Sequence, residues 1–207
     1  MTHGFYMIKY IGLPVFAYLL GSIPWGLILT RLFTPVDIRQ SGSGNIGATN
    51  VVREAGLKLG IITLAGDILK GAVPVWLATS TPSANDTWSA LFVALVALAA
   101  FMGHLYPIYM KFKTGGKGVA TAAGCFAVIS PVAMVISILV FVMMVCWSSR
   151  VSVASLVAAA VLPIAVWKST HSQIITGCAV ITMIFIYFRH MDNIKRLLTG
   201  TEPVIWK

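Results

Sequence analysis

Long apolar segments follow one another along almost the whole chain, and short polar segments separate them. Apolar segments of about 20 residues are typical of membrane-spanning helices. The first three and the last are this long, whereas the middle three are short enough to be tilted, half-spanning or re-entrant. We therefore predict an all-α integral membrane protein with about seven transmembrane helices. Their approximate ranges are 8–33, 59–79, 87–109, 118–130, 132–147, 152–168 and 172–190.

Composition agrees with a single polytopic membrane domain over residues 1–207. Hydrophobic residues make up 58% of the chain and charged residues 10%, compared with roughly 25% charged residues in soluble domains. No polar block is long enough for a separate soluble domain. The first apolar segment contains Pro14 and Pro24 and lacks an A-x-A-like cleavage site, so we expect a retained span, not a removed signal peptide. All three cysteines lie in apolar segments, which argues against a disulfide framework.

The distribution of Lys and Arg predicts how the chain is oriented, because basic residues accumulate on cytoplasmic flanks. With the N-terminus outside, only Lys9 and Lys168 flank the spans on the outer side. A five-span version, with 118–147 as a re-entrant pair, gives the same orientation. We therefore predict an outside N-terminus and a cytoplasmic C-terminus. The inner flanks hold Arg31, Arg39, Arg53, Lys58, Lys111, Lys113, Lys117, Arg150, Arg189, Lys195, Arg196 and Lys207.

This orientation places the polar motifs at the cytoplasmic face, in segments 34–58, 110–118, 148–152 and 189–207. The net charge of +9 then indicates attraction to anionic head groups or anionic substrates. Nucleic acid binding is not indicated, because no basic patch lies on a soluble module that could reach a duplex.

The segment SGSGNIGATN, residues 41–50, combines glycines with Ser, Asn and Thr. Gly42, Gly44 and Gly47 permit positive φ and let backbone N–H groups approach a ligand, and successive N–H groups of such a turn bind anions. A helix is predicted to follow, which adds a helix N-terminus, and Arg53 lies one turn further on. A plain flexible loop is the alternative, but a linker does not need paired Asn and Thr with an Arg downstream. We therefore favour an anion-binding site.

A second glycine-rich segment is KFKTGGKGVAT, residues 111–121. It is not a Walker A loop, which requires G-x-x-x-x-G-K-[ST], so ATP binding is not implied. Gly115, Gly116 and Gly118 expose backbone donors, while Lys117 supplies a positive charge just before a predicted helix. This is a second candidate anion site. The other basic residues of the segment are interpreted as positive-inside anchors: Lys111 and Lys113.

Three further features lie within or beside the spans. Asp67 and Lys70 lie three residues apart in the second span, where isolated charges are costly, so we expect them to pair inside the bundle. His104, near the end of the third span, is interpreted as structural. Ser152 and Ser155 share a helical face and suit either helix packing or ligand binding.

The last segment, RHMDNIKRLLTGTE, is predicted to leave the membrane as an amphipathic exit from the last span. Its basic residues suit anchoring. His190 and Asn193 are three residues apart, share a helical face and are placed to reach a ligand.

Common catalytic patterns are absent from the sequence. It contains no H-x-x-x-x-D dyad, no nucleophile elbow and no metal-ligand cluster, so no acid–base pair is evident and no metal is predicted. Two anion sites beside lipid suit an enzyme that joins a phosphorylated water-soluble molecule to a lipid-like one. They also suit a membrane transporter of phosphorylated small anions. Transporters usually place polar interruptions at the bilayer midplane, whereas these motifs lie at one boundary, so we prefer the enzyme.

Five segments, in this order, closely resemble the motifs of a known family: GSGNIGATNVVR, DILKG, GHLYPIYMKFKTGGKGVAT, RVSVAS and RHMDNIKRLLTGTE. The family is the acyl-phosphate:glycerol-3-phosphate acyltransferases of bacterial membranes, the PlsY family, and the resemblance runs from about residue 10 to 205. It implies transfer of a fatty acyl group from acyl phosphate to the 1-hydroxyl of sn-glycerol 3-phosphate, giving lysophosphatidic acid and phosphate in phospholipid biosynthesis. It also implies a multi-pass protein of the inner (cytoplasmic) membrane with a cytoplasmic active site and no cofactor. The implied partners are acyl phosphate, glycerol 3-phosphate and membrane lipid.

Residue by residue, the resemblance implies a set of functional positions. The implied catalytic residues are Ser43, Asn45, Arg53, His190 and Asn193. The implied substrate-binding residues are Thr49, Asn50, Gly115, Gly116, Lys117, Gly118, Ser152 and Ser155. Structural roles are assigned to Asp67, Lys70, His104 and Glu202.

The same resemblance accounts for the missing acid–base pair. Acyl phosphate is a mixed anhydride with a good leaving group, so the protein needs to position two anions and stabilise the oxyanion, without a covalent intermediate. A substrate phosphate is then able to take the proton. On this hypothesis each glycine-rich segment holds one phosphoryl group.

Overall fold

All regular secondary structure in the part that the structure describes is helical. The computed structural model describes residues 2–80, 86–113 and 115–205, with the backbone alone for 2–9 and Asp86. No β-strand occurs in these ranges, and the prediction of an all-α protein is confirmed. The helices group into two compact units, Met1–Ile129 and Ser130–Lys207.

The first unit contains the longest described helix and both glycine-rich segments. Its helices are α1 (Thr2–Gly21), α2 (Trp25–Phe33), α3 (Ala48–Ala55), α4 (Leu57–Thr79), α5 (Asp86–Leu105) and α6 (Val119–Ile129), with a 3₁₀ turn at Ile108–Met110.

The first apolar segment is one span in length but two helices in structure. An apolar stretch runs over Tyr10–Phe33, yet α1 ends at Gly21 and α2 begins at Trp25. Pro24 lies in the break, where its missing N–H removes a helical hydrogen bond and its ring favours an interruption of the helix. The break leaves backbone groups that side chains elsewhere in the unit can bind.

Small residues allow the long helices of this unit to pack closely. A Cβ on Gly71 of α4 would overlap the carbonyl oxygen of Thr121 in α6, and one on Gly103 of α5 would overlap that of Tyr18 in α1. Such small-residue contacts are typical of membrane helices, where packing and not the exclusion of water drives association.

A small apolar cluster fixes the polar segment that joins α2 to α3. Its buried members are Leu27 of α2, Ile38 and Ile46 of the connecting segment, and Val51 of α3. Because each of these side chains is less than a tenth exposed, the segment is tied to both helices on either side of the first glycine-rich motif.

The second unit is formed by four helices. These are α7 (Pro131–Ser148), α8 (Val151–Thr170), α9 (Gln173–Arg189) and α10 (Met191–Leu198). The axes of α9 and α10 differ by 58°, so the chain bends at His190. The predicted amphipathic exit from the last span is therefore a separate short helix.

Each of the seven predicted apolar segments coincides with helical structure. Among the described residues, five stretches are long and apolar enough to cross a membrane, and the bent α9–α10 pair makes a sixth. The apolar helix α6 is shorter, as its segment predicted. The chain is thus a multi-pass membrane protein, while seven crossings and the direction of the chain stay predictions. Two residues used to predict that direction, the Lys9 side chain and Lys207, lie outside the described part.

Candidate active site

Asn50 organises the first glycine-rich loop. Its side-chain oxygen accepts a hydrogen bond from the Ser43 N–H (3.0 Å), and its amide nitrogen donates to the carbonyl oxygens of Ser41 (3.1 Å) and Asn45 (3.0 Å). The amide nitrogen also lies 3.3 Å from the Ile38 carbonyl oxygen. Asn50 is buried, and these bonds use its donors and its acceptor. In the structure Asn50 shapes the loop, and its contact with substrate stays a prediction.

Two of the three glycines in the first glycine-rich loop have the positive φ that was anticipated from the sequence. Gly42 and Gly44 have positive φ, 56° and 67°, whereas Gly47 has an ordinary φ of −77°. The Gly44 N–H donates to the Ser41 carbonyl (3.0 Å), and the Gly47 N–H donates to the Asn45 side-chain oxygen (2.9 Å). The expectation that these two N–H groups face a ligand is therefore wrong, because they close the loop on itself.

Several side chains of this loop and of the following helix α3 remain accessible to a ligand. The Ser43 and Arg53 side chains are exposed, and Thr49 is half-buried one helical turn before Arg53. Gly47 precedes α3, and no side chain in the described residues caps that helix end, where first-turn N–H groups lack helical partners. Ser43, Thr49, Arg53 and the start of α3 therefore form the candidate anion site of the loop.

A neighbouring basic residue is already paired. Arg39 donates two hydrogen bonds to the Asp37 carboxylate, from Nε (2.9 Å) and Nη2 (2.6 Å). The side-chain hydrogen bond from Arg39 lowers the pKa of Asp37 to about 2. The pair is exposed to solvent, so at neutral pH Arg39 is bound to its neighbour, two residues away.

The second glycine-rich segment lies directly against the end of α5. The Gly116 N–H donates to the His104 carbonyl oxygen (3.1 Å). A Cβ on Gly115 would overlap the Leu105 carbonyl group, and one on Gly116 would overlap the His104 imidazole. Glycine is required at both positions because the backbone of the segment occupies the space that a side chain would need.

Gly118 and Lys117 complete this segment. Gly118 has φ of 84°, and a Cβ there would also overlap the Phe101 ring. Lys117 is half-buried immediately before α6, whereas Lys113 is exposed. The two lysines thus differ in exposure, while the substrate-binding role of Lys117 and the anchoring role of Lys113 stay predictions. Thr114, between them, lies outside the described residues.

Asp67 and Lys70 pair inside the first unit, as expected. The Lys70 Nζ lies 2.8 Å from the Asp67 Oδ1, and both side chains are almost fully buried. His104 Nδ1 lies 3.6 Å from the same carboxylate oxygen, a contact that the sequence did not predict. Lys70 also donates to the Ile23 carbonyl oxygen (2.9 Å) in the break between α1 and α2. Burial with paired charges fits the structural role assigned to all three ionisable residues.

In the second unit, Glu202 joins the C-terminal tail to α10. Its carboxylate accepts from the Asn193 amide (2.6 Å) and from Arg196 Nε (2.8 Å). Arg150, before α8, donates from Nε to the Glu202 carbonyl oxygen (3.3 Å). These bonds support the structural role predicted for Glu202 and give Asn193 a fixed orientation.

Two opposing effects act on the Glu202 carboxyl. Burial alone would raise its pKa, but the hydrogen-bond donors around it, Ser152, Asn193 and Arg196, hold the pKa below its usual value. Ser152 acts by proximity, since its buried hydroxyl makes no well-aligned hydrogen bond within the described residues. Glu202 is therefore a carboxylate at neutral pH. Sequence reasoning assigned Arg196 to anchoring and gave Arg150 no site role, and nothing in the local sequence indicates that both bind Glu202.

His190 lies at the bend between α9 and α10 and is 2% exposed. Its Nδ1 is 2.8 Å from the Ile186 carbonyl oxygen. A carbonyl only accepts hydrogen bonds, so Nδ1 carries the proton, and in the neutral ring Nε2 is the acceptor. His190 is also the N-cap residue of α10, since its carbonyl oxygen accepts the Ile194 N–H (2.9 Å). That His190 and Asn193 share a helical face and reach a ligand stays a prediction.

Ser152 and Ser155 lie on the first turns of α8 and are both buried. No side chain in the described part caps the start of this helix. Ser152 is thus a buried hydroxyl beside Glu202 and an uncapped helix end, a setting that suits either helix packing or binding of an anion.

Comparison with known proteins gives this geometry a context. The sequence model of the glycerol-3-phosphate acyltransferase family matches residues 11–200. The chain belongs to this family. A glycerol-3-phosphate acyltransferase of Syntrophotalea carbinolica is 51% identical over 90% of this chain and 92% of its own length. One from Geobacter sulfurreducens is 44% identical over 95% and 97% of the two chains.

The family also has a structural counterpart of the same fold. The chain is similar to the crystal structure of PlsY (YgiH), an integral membrane glycerol 3-phosphate acyltransferase, in its glycerol 3-phosphate form. The TM-score is 0.88 and the identity 36%, over 96% of each chain. The lysophosphatidic acid form of that protein gives a TM-score of 0.86 with the same coverage. The sequence resemblance to the PlsY family is therefore confirmed.

Proposed function

We propose that the chain transfers a fatty acyl group from acyl phosphate to the 1-hydroxyl of sn-glycerol 3-phosphate. The observation that carries the proposal is the segment Gly115–Gly118, which holds half-buried Lys117 at the start of α6 in a chain of this family. A fixed cation beside a helix N-terminus suits a phosphoryl group. The similar crystal structure has a glycerol 3-phosphate form, which supports this substrate.

The reaction needs little chemistry from the protein. The substrate hydroxyl oxygen attacks the acyl carbonyl carbon, the bond from that carbon to the phosphate oxygen breaks, and the hydroxyl proton ends on the released phosphate. No electrons are gained or lost, and no covalent enzyme intermediate is needed. The protein contributes by holding two anions close together against their repulsion and by stabilising the oxyanion.

The described residues suggest which groups do this. We assign Lys117 to the glycerol 3-phosphate phosphoryl group, and Ser43, Thr49 and Arg53 to the phosphoryl group of the donor. Arg53 and the uncapped start of α3 provide the positive charge and the N–H groups that such a dianion requires.

In the second unit, we propose catalytic roles for His190 and Asn193, whose side chains are held by the Ile186 carbonyl oxygen and by the Glu202 carboxylate. The protonated Nδ1 of His190 leaves Nε2 as the hydrogen-bond acceptor of the neutral ring, the role that a hydroxyl donor needs. Glu202 and Arg196 act on substrate only through Asn193, which they orient.

The proposed location is the inner membrane of a bacterium, with the N-terminus outside and the glycine-rich segments at the cytoplasmic face. The excess of Lys and Arg on those flanks supports this direction. The water-soluble substrate, glycerol 3-phosphate, would then be supplied from the cytoplasm, and the acylated product would remain in the bilayer.

A donor comparison tests the proposal. Purified protein given glycerol 3-phosphate should form lysophosphatidic acid with acyl phosphate and none with acyl-CoA or acyl carrier protein, because no H-x-x-x-x-D dyad is present to activate the hydroxyl. Robust turnover with acyl-CoA would contradict the proposed donor. Uptake of labelled glycerol 3-phosphate into proteoliposomes without lipid formation would favour the transporter instead.

A further inference from the structure

In the first unit, Lys70 of α4 and His104 of α5 both approach the carboxylate of Asp67, which also lies in α4. Asp67 Oδ1 lies 2.8 Å from Lys70 Nζ and 3.6 Å from His104 Nδ1. The exposed fractions of Asp67, Lys70 and His104 are 3%, 2% and 4%. Buried charges are stable only when they are paired, so Asp67 and Lys70 hold each other in position, and the His104 ring packs beside the pair.

One end of this cluster fixes the second glycine-rich segment. His104 contacts Gly116 twice: its carbonyl oxygen accepts the Gly116 N–H at 3.1 Å, and its imidazole fills the space where a Cβ on Gly116 would lie. The position of the His104 ring therefore sets how closely the backbone beside Lys117 approaches α5.

The other end fixes the break between α1 and α2. Lys70 Nζ donates to the Ile23 carbonyl oxygen at 2.9 Å. The residues around the break are also tied to the chain after α5, because Tyr18 Oη donates to the Tyr106 carbonyl oxygen at 2.7 Å. The cluster thus connects three parts of the unit: the helix break, α4, and the end of α5 with its glycine-rich segment.

We infer that Asp67, Lys70 and His104 form a buried brace that positions Lys117 for glycerol 3-phosphate, with His104 as the positioning residue. The inference rests on the proposed role of Lys117 and adds to it the groups that hold the segment in place. None of the three brace residues needs to touch substrate. Displacing a charged group by about 1 Å weakens its interaction with a bound anion strongly, so the brace affects substrate affinity through geometry.

Loss of a brace changes substrate affinity in a protein that is still folded, whereas loss of an ordinary stabilising ion pair changes only the stability of the fold. If the cluster only stabilises the fold, a variant that regains stability should regain all its kinetic constants. If it positions Lys117, the KM for glycerol 3-phosphate should rise while the KM for acyl phosphate does not. The two possibilities therefore separate in a folded variant that lacks the charges.

The test uses the double variant Asp67→Asn, Lys70→Met, which removes both charges and leaves no single charge buried without a partner. The matched control is Asp37→Asn, because Asp37 forms an exposed ion pair with Arg39. We expect the folded double variant to raise the KM for glycerol 3-phosphate by roughly 10- to 100-fold. Its KM for acyl phosphate and all constants of the control should stay within about twofold of wild type.

A second variant covers the case in which the double variant does not fold. His104→Asn keeps the Asp67–Lys70 pair and a polar group near the position of Nδ1, but removes the part of the ring that lies against Gly116. It should show the same selective rise in the KM for glycerol 3-phosphate. An unchanged KM in either folded variant, or an equal rise in both KM values, would overturn the brace.

Calorimetric binding of glycerol 3-phosphate without a donor separates this inference from the proposed reaction. If wild type binds glycerol 3-phosphate but does not acylate it, the acyltransferase proposal fails by itself. Weaker binding to His104→Asn than to Asp37→Asn would still support the brace. Equal binding by those two variants would overturn it.

Discussion

The most informative single substitution is Lys117→Ala, because the structure separates this lysine from its neighbour Lys113. Lys117 is half-buried among closely packed glycines, whereas Lys113 is exposed. Both changes remove one positive charge from the same short segment. Only the first should remove a charge held at a fixed distance from bound glycerol 3-phosphate.

The magnitude follows from Coulomb's law. At about 4 Å and an effective dielectric constant of about 20, one pair of unit charges contributes roughly 4 kcal/mol. Because Lys117 is only half-buried, water screens part of this interaction, and we expect a loss of about 2–3 kcal/mol in transition-state stabilisation. Since each 1.4 kcal/mol is a factor of ten, kcat/KM for glycerol 3-phosphate should fall about 30- to 150-fold.

Steady-state phosphate release by purified variants measures this effect, with glycerol 3-phosphate varied at saturating acyl phosphate. Lys113→Ala should stay within about twofold of wild type, because exposed charges contribute little. Lys117→Arg keeps the charge in a different shape and should recover part of the loss. If Lys117→Ala lost no more activity than Lys113→Ala, the segment would be a basic anchor and not a phosphate site.

Three further predictions concern the tail, the first loop and the direction of the chain. Glu202→Gln should lower the free energy of unfolding by about 1–3 kcal/mol at pH 7. The pKa of Glu202 is lower in the folded protein than in the unfolded chain. The difference in thermal unfolding between the variant and wild type should therefore shrink as the pH falls below the usual carboxyl pKa and through the pKa of folded Glu202. No change in that difference with pH would contradict the charged carboxylate. Asn50→Asp should reduce activity at least about tenfold and speed hydrogen exchange in residues 41–46, because the carboxylate cannot donate to the loop carbonyls; exchange rates equal to wild type would exclude the loop-shaping role. In a chain without its own cysteines, a cysteine at Asn45 should react with an impermeant reagent only from the cytoplasmic side, and one at Ser83, outside the described residues, only from the other side; labelling of both from one side would refute the orientation.

The helices were the most predictable part of the fold, because long apolar segments have few alternatives in a membrane. The break at Pro24 carried a local signal, the proline itself, but sequence alone does not decide between a kinked helix and two separate helices. The bend at His190 carried no such signal in the sequence.

The candidate site likewise contains some features that the sequence predicts and others that it does not. The glycine-rich segments and the Asp67–Lys70 pair were predictable, since each depends on residues that are neighbours in sequence. The roles of Asn50 and His104 depend on where loop carbonyls and a second helix lie in space. Positive φ at Gly42 and Gly44 was predicted correctly, but the direction of the Gly44 and Gly47 N–H groups was not, because Asn45 and Ser41 compete for them within the loop.

The central claim is that one chain joins acyl phosphate and glycerol 3-phosphate without a cofactor or a covalent intermediate. The most direct measurement follows labelled glycerol 3-phosphate and released phosphate together in one reaction with purified wild-type protein. We expect one lysophosphatidic acid for each phosphate released, and no phosphate burst when glycerol 3-phosphate is withheld. Phosphate release without the lipid product, or an acylated protein formed from acyl phosphate alone, would contradict it.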